Sequence, residues 1–276
     1  MSHQPVPFVK AHGTGNDFVI VTRDVFDRAG LLAIVADVCD RHRGVGADGV
    51  IVVEPRGEDV VAMQIYNRDG SRPQMCGNGV RCVARYVVEH ANFPTQLTVL
   101  SDAGPRACTV FRHGEAVEVE VEMGEAVLGE VVGHRGWPLH EVDMGNPHGV
   151  AWVDEHPPLP VIDAVGAELN AEGSPFGDGV NVEFARQNGS NNFEVIVYER
   201  GVGRTQACGT GACAVAAAAW ATGRAAPDGE VTVELAGGAL RIRQSEGRVL
   251  MRGDAELVLR GELTAAWLRS RLEVVE

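Results

Sequence analysis

Two cysteines open the same kind of turn. Cys76 in MCGNGVRC (75–82) and Cys208 in ACGTGAC (207–213) each stand directly before a Gly-x-Gly triplet and a helical run. A helix start offers N–H groups outside the hydrogen-bond ladder and the positive end of the peptide dipoles. A thiol there is expected to ionise more readily than a free cysteine, whose pKa is ~8.5. Such a thiol can act as a base. The glycines Gly77 and Gly209 let a ligand approach the backbone, and the N–H groups that follow can hold a carboxylate. One turn therefore supplies one proton-transfer group and part of one anion site. Two such turns facing one carbon could remove a proton from one side and deliver another to the opposite side, which is racemisation or epimerisation. N–H donors around the substrate carboxylate would stabilise the developing carbanion, so this chemistry calls for no cofactor.

Competing uses of these residues are weaker. Cys39 and Cys108 read as small buried apolar side chains, and Cys82 and Cys213 as core residues of the two helices. The C-x5-C and C-x4-C spacings do not match a zinc site and no paired histidines accompany them, so no metal is expected. A thiol-redox protein, a different class, would more usually show C-x-x-C. GVGADG (44–49) matches G-x-G-x-x-G literally, but a helical pattern precedes it and the strand VIVV follows, the reverse of a dinucleotide site. No G-K-[ST] occurs, which excludes a phosphate loop.

The elements that must position the cysteines also occur twice. A shift of 130 lays Gly15-Asn16 on Gly145-Asn146 and Asp48-Gly49-Val50 on Asp178-Gly179-Val180. A shift of 132 lays Tyr66-Asn67-Arg68 on Tyr198-Glu199-Arg200, Arg72 on Arg204, and Cys76-Gly77-Asn78-Gly79 on Cys208-Gly209-Thr210-Gly211. This reads as a duplicated domain. Each copy runs from a strand (FVIVT or VAWV) to a helical stretch (LLAIVADVCDRH or PVIDAVGAELN). A further strand, the cysteine turn and a long helix follow, near 79–90 and 210–222, with Gly223 as a C-terminal stop. AVEVEVEM, EVTVELA and ALRIRQ alternate with period two, as antiparallel strands with one wet face do. The expected class is α+β. The expected domains are 1–124 and 125–262, with a tail at 263–276 that is helical and packed on the first domain.

The composition sets outer limits. With 276 residues and 45% hydrophobic content, the chain can bury one large core or two ordinary ones. A net charge of -14 disfavours nucleic acid or an anionic membrane as partner and leaves small molecules. The opening MSHQPVPFVK lacks the apolar run of a secretory signal. ACAVAAAAWA (212–221) falls short of the ~18 residues of a membrane span, so a cytoplasmic chain with free thiols is expected. Lys10 is the only lysine, and its place on an N-terminal strand argues against a pyridoxal phosphate Schiff base.

HGTGNDFVIV, NRDGSRPQMCGNGVRC, MGNPHGV, GVNVEF and YERGVGRTQACGTGAC, in this order from about residue 8 to 261, resemble the motifs of the diaminopimelate epimerase family. The resemblance implies two homologous domains related by a pseudo-twofold axis, each with antiparallel sheets around a central helix, and an active site in the cleft between them. It implies cofactor-independent interconversion of LL- and meso-2,6-diaminoheptanedioate, and a homodimer. A proline or hydroxyproline racemase of the same fold is the nearest alternative. The implied acid/base pair is Cys76 and Cys208, with Cys208 as acceptor and Cys76 as donor from LL to meso. Gly77-Asn78 and Gly209-Thr210 would present N–H groups to the reacting carboxylate. Asn16, Asn67, Asn146 and Asn181 fall at substrate-contact positions with Glu199 and Arg200, and this set suits an amino-dicarboxylate. His148 would orient Cys76 or Glu199. Arg204 stands where the family often has Glu, at the place equivalent to Arg72.

Overall fold

The computed structural model describes residues 4–272. The chain forms two compact units, Met1–Val121 with Asp254–Glu276, and Glu122–Gly253. Strands and helices are numbered along the chain.

In the first unit, β1 (Val6–Gly13) and β2 (Asn16–Thr22) form a hairpin. Its turn, Thr14-Gly15, takes positive φ at both residues. A short helix α1 (Arg23–Arg28), a 3-10 turn (Leu31–Ile34) and α2 (Val35–Cys39) carry the chain to β3 (Gly49–Pro55), parallel to β2. The long helix expected over 31–42 is thus broken and ends at Cys39. The chain doubles back there so tightly that a Cβ on Gly44 would sit 2.0 Å from the Asp37 carbonyl. β4 (Val60–Asn67) runs antiparallel to β3. Helix α3 (Gly77–His90) then crosses to β5 (Gln96–Ser101), parallel to β4, and β6 (Gly104–His113) and β7 (Ala116–Gly124) continue as a meander. Along β7 buried and wetter residues alternate, as the AVEVEVEM pattern requires.

The second unit repeats this order. β8 (Val127–His134), β9 (Trp137–Asp143) and β10 (Pro147–Val153) lead through α4 (Leu159–Leu169) to β11 (Asn181–Gln187), parallel to β10. β12 (Asn192–Glu199) and the two-residue β13 (Gly203–Arg204) precede α5 (Gly209–Ala221). The helix delivers the chain to β14 (Val231–Leu235), parallel to β12, and then to β15 (Gly238–Ser245) and β16 (Arg248–Asp254). The class is α+β. The sheets are mixed rather than wholly antiparallel, because every helical crossover returns the chain in the direction it came.

Each unit is built round its long helix. α3 packs on β1, β2, β4, β5 and β6, and α5 on β9, β10, β11, β14 and β15. From Gly211 to Trp220 every residue of α5 is buried. Alanine fits this place because it favours helix and lets strands approach on all sides.

The observed boundaries differ from those read in the sequence. The first unit ends at Val121, and the second ends at Gly253 instead of 262. The reason is β17 (Glu256–Leu263), which pairs along β1 from Val6–Leu263 to His12–Glu256. α6 (Ala265–Leu272) follows and sets Leu268 into the core of the first unit with Leu31, Ile34 and Val35. Residues 273–276 of the expected tail lie outside the described residues.

Candidate active site

Cys76 and Cys208 are the N-caps of α3 and α5, in matching extended conformations (φ -140°, ψ 113° and φ -119°, ψ 113°). The helices begin at Gly77 and Gly209, a turn's fraction earlier than the hydrophobic pattern indicates. The first intrahelical bonds run from Val80 N–H to Cys76 O and from Ala212 N–H to Cys208 O. The amides of Gly77 and Gly209 therefore precede the ladder.

In the first unit, Cys76 is half-buried, and its sulfur lies 3.5 Å from Asn16 Oδ1 as donor. The same oxygen accepts from Asn78 Nδ2 at 3.3 Å, while Asn16 Nδ2 donates to Asp48 at 2.8 Å. Three predicted residues, Asn16, Cys76 and Asn78, thus meet. Asn67 is held by Ser71, with Nδ2 2.9 Å from Oγ, in the turn after β4.

In the second unit, Cys208 is 7% exposed. Its sulfur accepts from the Gly211 N–H at 3.3 Å and lies 3.4 Å from Thr210 Oγ1. Asn146 Nδ2 donates to Thr210 Oγ1 at 3.3 Å, and Asn146 Oδ1 lies 3.2 Å from His148 Nε2. His148 is fully buried, and its Nδ1 meets Glu183 Oε1 at 2.7 Å. The carboxylate of Glu199 receives a hydrogen bond from the Thr205 hydroxyl and acts on the neighbouring Cys208 thiol. Asn181 ties strands together, donating to Pro147 O at 3.1 Å and accepting from the Arg200 N–H at 2.9 Å. The Arg200 side chain is exposed and lines a depression of about 500 Å³ with Asn170, Tyr198 and Val202.

The electrostatics of Cys208 correct the expectation of an easily ionised thiol. Burial pushes this thiol well up, and the carboxylates of Glu199 and Glu183 push it further. Bonds from Thr210 and Gly211 offset only part of that. A helix start is one favourable influence; removal from water outweighs it here. Burial also raises Glu199, with the neighbouring Glu183 charge adding to the effect, so Glu199 is suited to hold a proton. The remaining thiols behave as core. Burial pushes Cys39 to about 11 and Cys82 and Cys108 to about 12, and Cys213 is buried within α5.

Glu183 and Thr205 were not singled out by the sequence reading, although both lie within its motifs. The duplication carries a signal for Glu183. At the shift of 132 it falls on Ile51, an ionisable residue at an apolar position of a buried strand.

Residues 8–129 and 141–258 match the model of the diaminopimelate epimerase family. The chain belongs to this family. A diaminopimelate epimerase of Streptomyces coelicolor is 40% identical over 299 aligned residues, covering 97% of this chain and 98% of that one. One from Geobacillus thermodenitrificans is 37% identical, covering 92% and 95%. Among solved structures, a hydroxyproline epimerase from Agrobacterium vitis superposes with a TM-score of 0.71 at 16% identity, covering 95% of this chain and 92% of that one. Its likeness establishes the fold that the diaminopimelate epimerase family shares with it.

Proposed function

We propose that the chain is a cofactor-independent diaminopimelate epimerase, interconverting LL- and meso-2,6-diaminoheptanedioate. The observation that carries this reading is near full-length identity of 36–40% to diaminopimelate epimerases in a chain with a thiol at the start of each long helix. The Cys208 thiol gives its proton to Glu199, and the resulting thiolate takes the α-proton. The Cys76 thiol delivers a proton to the opposite face, and the roles exchange in the reverse direction. Gly77-Asn78 and Gly209-Thr210 supply N–H donors to the carboxylate at the reacting carbon. Asn16, Asn67, Asn146 and Arg200 hold the rest of the diacid, and Asn181, bonded to Pro147 O and the Arg200 N–H, fixes the backbone that presents Arg200. Lys10 is engaged by Asp17 and the Gly46 carbonyl, which fits catalysis without a pyridoxal Schiff base. The reading places a homodimeric enzyme in the cytoplasm, on the route to lysine and the bacterial wall. No helix among the described residues is long and apolar enough to cross a membrane.

The test is isotope exchange. Fully reduced protein incubated with the LL isomer in deuterated water is expected to form the meso isomer with deuterium at one α-carbon. No exchange under these conditions overturns the proposal. Proline and trans-4-hydroxyproline, assayed in parallel, are expected to remain unchanged.

A further inference from the structure

We infer that Glu183 is a positioning residue of the Cys208 half-site. Its buried carboxylate anchors a chain of hydrogen-bonded side chains, His148, Asn146 and Thr210, that ends on the Cys208 sulfur, and its charge acts on that sulfur across the first turn of α5. The role in catalysis rests on the function proposed above; the effect on the thiol does not.

The links are continuous within the second unit. Glu183 Oε1 to His148 Nδ1 is 2.7 Å, His148 Nε2 to Asn146 Oδ1 3.2 Å, Asn146 Nδ2 to Thr210 Oγ1 3.3 Å, and Thr210 Oγ1 to Cys208 Sγ 3.4 Å. The carboxylate also reaches the helix directly. A Cβ on Gly211 would lie 2.6 Å from Glu183 Oε1 and 3.3 Å from Cys208 Sγ, so a residue without a side chain is what lets oxygen and sulfur share this space. Glu183 and His148 are both fully inaccessible, and Glu183 Oε2 has no hydrogen-bond partner among the described residues. A buried carboxylate left half satisfied lowers stability, so its place here answers to something other than holding the fold together.

The first unit supplies the comparison. On β2 and β3 Phe18 lies opposite Gly49, and on β10 and β11 His148 lies opposite Asn181. Two residues further, Ile51 occupies the place of Glu183. A Cβ on Gly79, the counterpart of Gly211, would meet Ile51 Cδ1. The fold is therefore content with Phe and Ile at these positions, and architecture alone does not call for the polar pair. The ionisable groups facing Cys208 are Glu183 from β11 and Glu199 from β12, with His148 from β10 behind them. Both carboxylates oppose a thiolate.

The test reads the thiol and the reaction separately. In a full-length Cys76→Ala background, Cys208 is alkylated with iodoacetamide across a pH series and the labelled peptide is quantified by mass. Glu183→Gln removes charge and keeps shape, so the labelling midpoint is expected to fall by about one pH unit. Glu183→Asp keeps the charge and is expected to hold the parental midpoint. Equal midpoints in all three, or equal shifts in both variants, overturn the inference. In the Cys76-containing chain, Glu183→Gln is expected to lower kcat roughly tenfold with KM changed less than about twofold, and Glu183→Asp to recover most of the loss. A change in KM alone overturns it. Should Glu183→Gln not fold, His148→Phe with Glu183→Ile installs the pair that the first unit already packs. Folded and inactive protein supports the role, and folded protein with parental kcat ends it. If the wild-type chain leaves diaminopimelate unexchanged, the proposed function fails, while the labelling experiment still decides whether Glu183 acts on Cys208.

Discussion

Ile51 lies beneath the cysteine turn of the first unit, with buried Phe18 at the strand position that His148 holds in the second, where His148 and Glu183 form the floor of the turn. The backbone around them is the same: an extended N-cap cysteine, a Gly-x-Gly entry and a helix ringed by strands. Duplication thus supplies the geometry of two thiols without making the thiols chemically alike. Cys76 is half-buried and shares Asn16 with Asn78. Cys208 is buried, bonded by Thr210 and the Gly211 N–H, and faces two carboxylates. A proton swap between opposite faces of one carbon requires two acid/base groups, and it does not require that their proton affinities match.

The largest effect expected is also the one that could collapse this comparison. Cys76→Ala and Cys208→Ala should each slow epimerisation by about a thousandfold or more while leaving the fold intact. A single-cysteine variant retaining substantial turnover in either half would show that only one turn is used. The measurement is conversion of the LL isomer, with circular dichroism as the control for folding.

The glycines beneath the two turns sharpen the contrast with a smaller effect. Gly211→Ala brings a methyl group against Glu183 Oε1 and Cys208 Sγ, and should cost about 1–3 kcal/mol together with much of kcat. Gly79→Ala meets the ends of Ile51 and Met63, which can turn aside, at 3.0 and 3.4 Å, and rests at ordinary contact distance, 3.7 Å, from Cys76 Cβ. Alanine is also the better helix former, so this variant should stay within about 1 kcal/mol of the parent. Urea unfolding of both proteins separates the two outcomes, and equal losses would mean that the ionisable floor imposes no special constraint.

The loops entering β3 and β11 differ as the floors do, with a reversed allocation of charge. In the first unit, Arg41 bridges Asp17 and Asp48 at 2.7 and 2.9 Å, and Lys10 joins Asp17. In the second, the neutral amide of Asn170 does comparable work, donating to Val180 O and accepting from Val180 N–H at 3.0 and 3.1 Å. Burial opposes ionisation of Asp17, yet hydrogen bonds from Arg41 and Lys10 hold its carboxyl well below the usual range. Its contribution is therefore complete above the unfolded carboxylate pKa of ~3.9 and declines as pH falls below that value. Asp17→Asn should lower Tm by a few degrees at pH 7, and the gap to the parent should narrow by pH 3. A gap that stays constant with pH would assign the effect to packing instead.

The part of this asymmetry that sequence could reveal is specific. Motif order and the shifts of 130 and 132 were enough to place both cysteines at helix starts and to pair Asn16 with Asn146, because those features depend on local chain pattern. Burial of the Cys208 thiol was not legible, since it depends on Glu199 and Glu183 arriving from other strands. The return of β17 to β1 was hidden for a related reason. A strand that completes a sheet far away in sequence carries the same alternation as one that pairs next door. Glu183 was written in GVNVEF all along, but its meaning emerges only when Ile51 is set beside it.

Arg72 and Arg204, equivalent under the shift of 132, predict the smallest effect and place a limit on the comparison. Arg72 grips Asp102 through Nε and an Nη at 2.7 and 2.8 Å, and Arg204 Nε reaches Asp163 of α4 at 2.6 Å. Both arginines and the Asp partners lie at the surface, 36–44% exposed, and such pairs contribute little. The Arg204 charge is directed at α4. Arg204→Ala should therefore leave Tm within about two degrees and KM for diaminopimelate within about twofold of the parent. A larger rise in KM at low salt, removed by added salt, would show that the Arg204 charge is felt by the substrate and that the two units differ at their surfaces as well as beneath their cysteines.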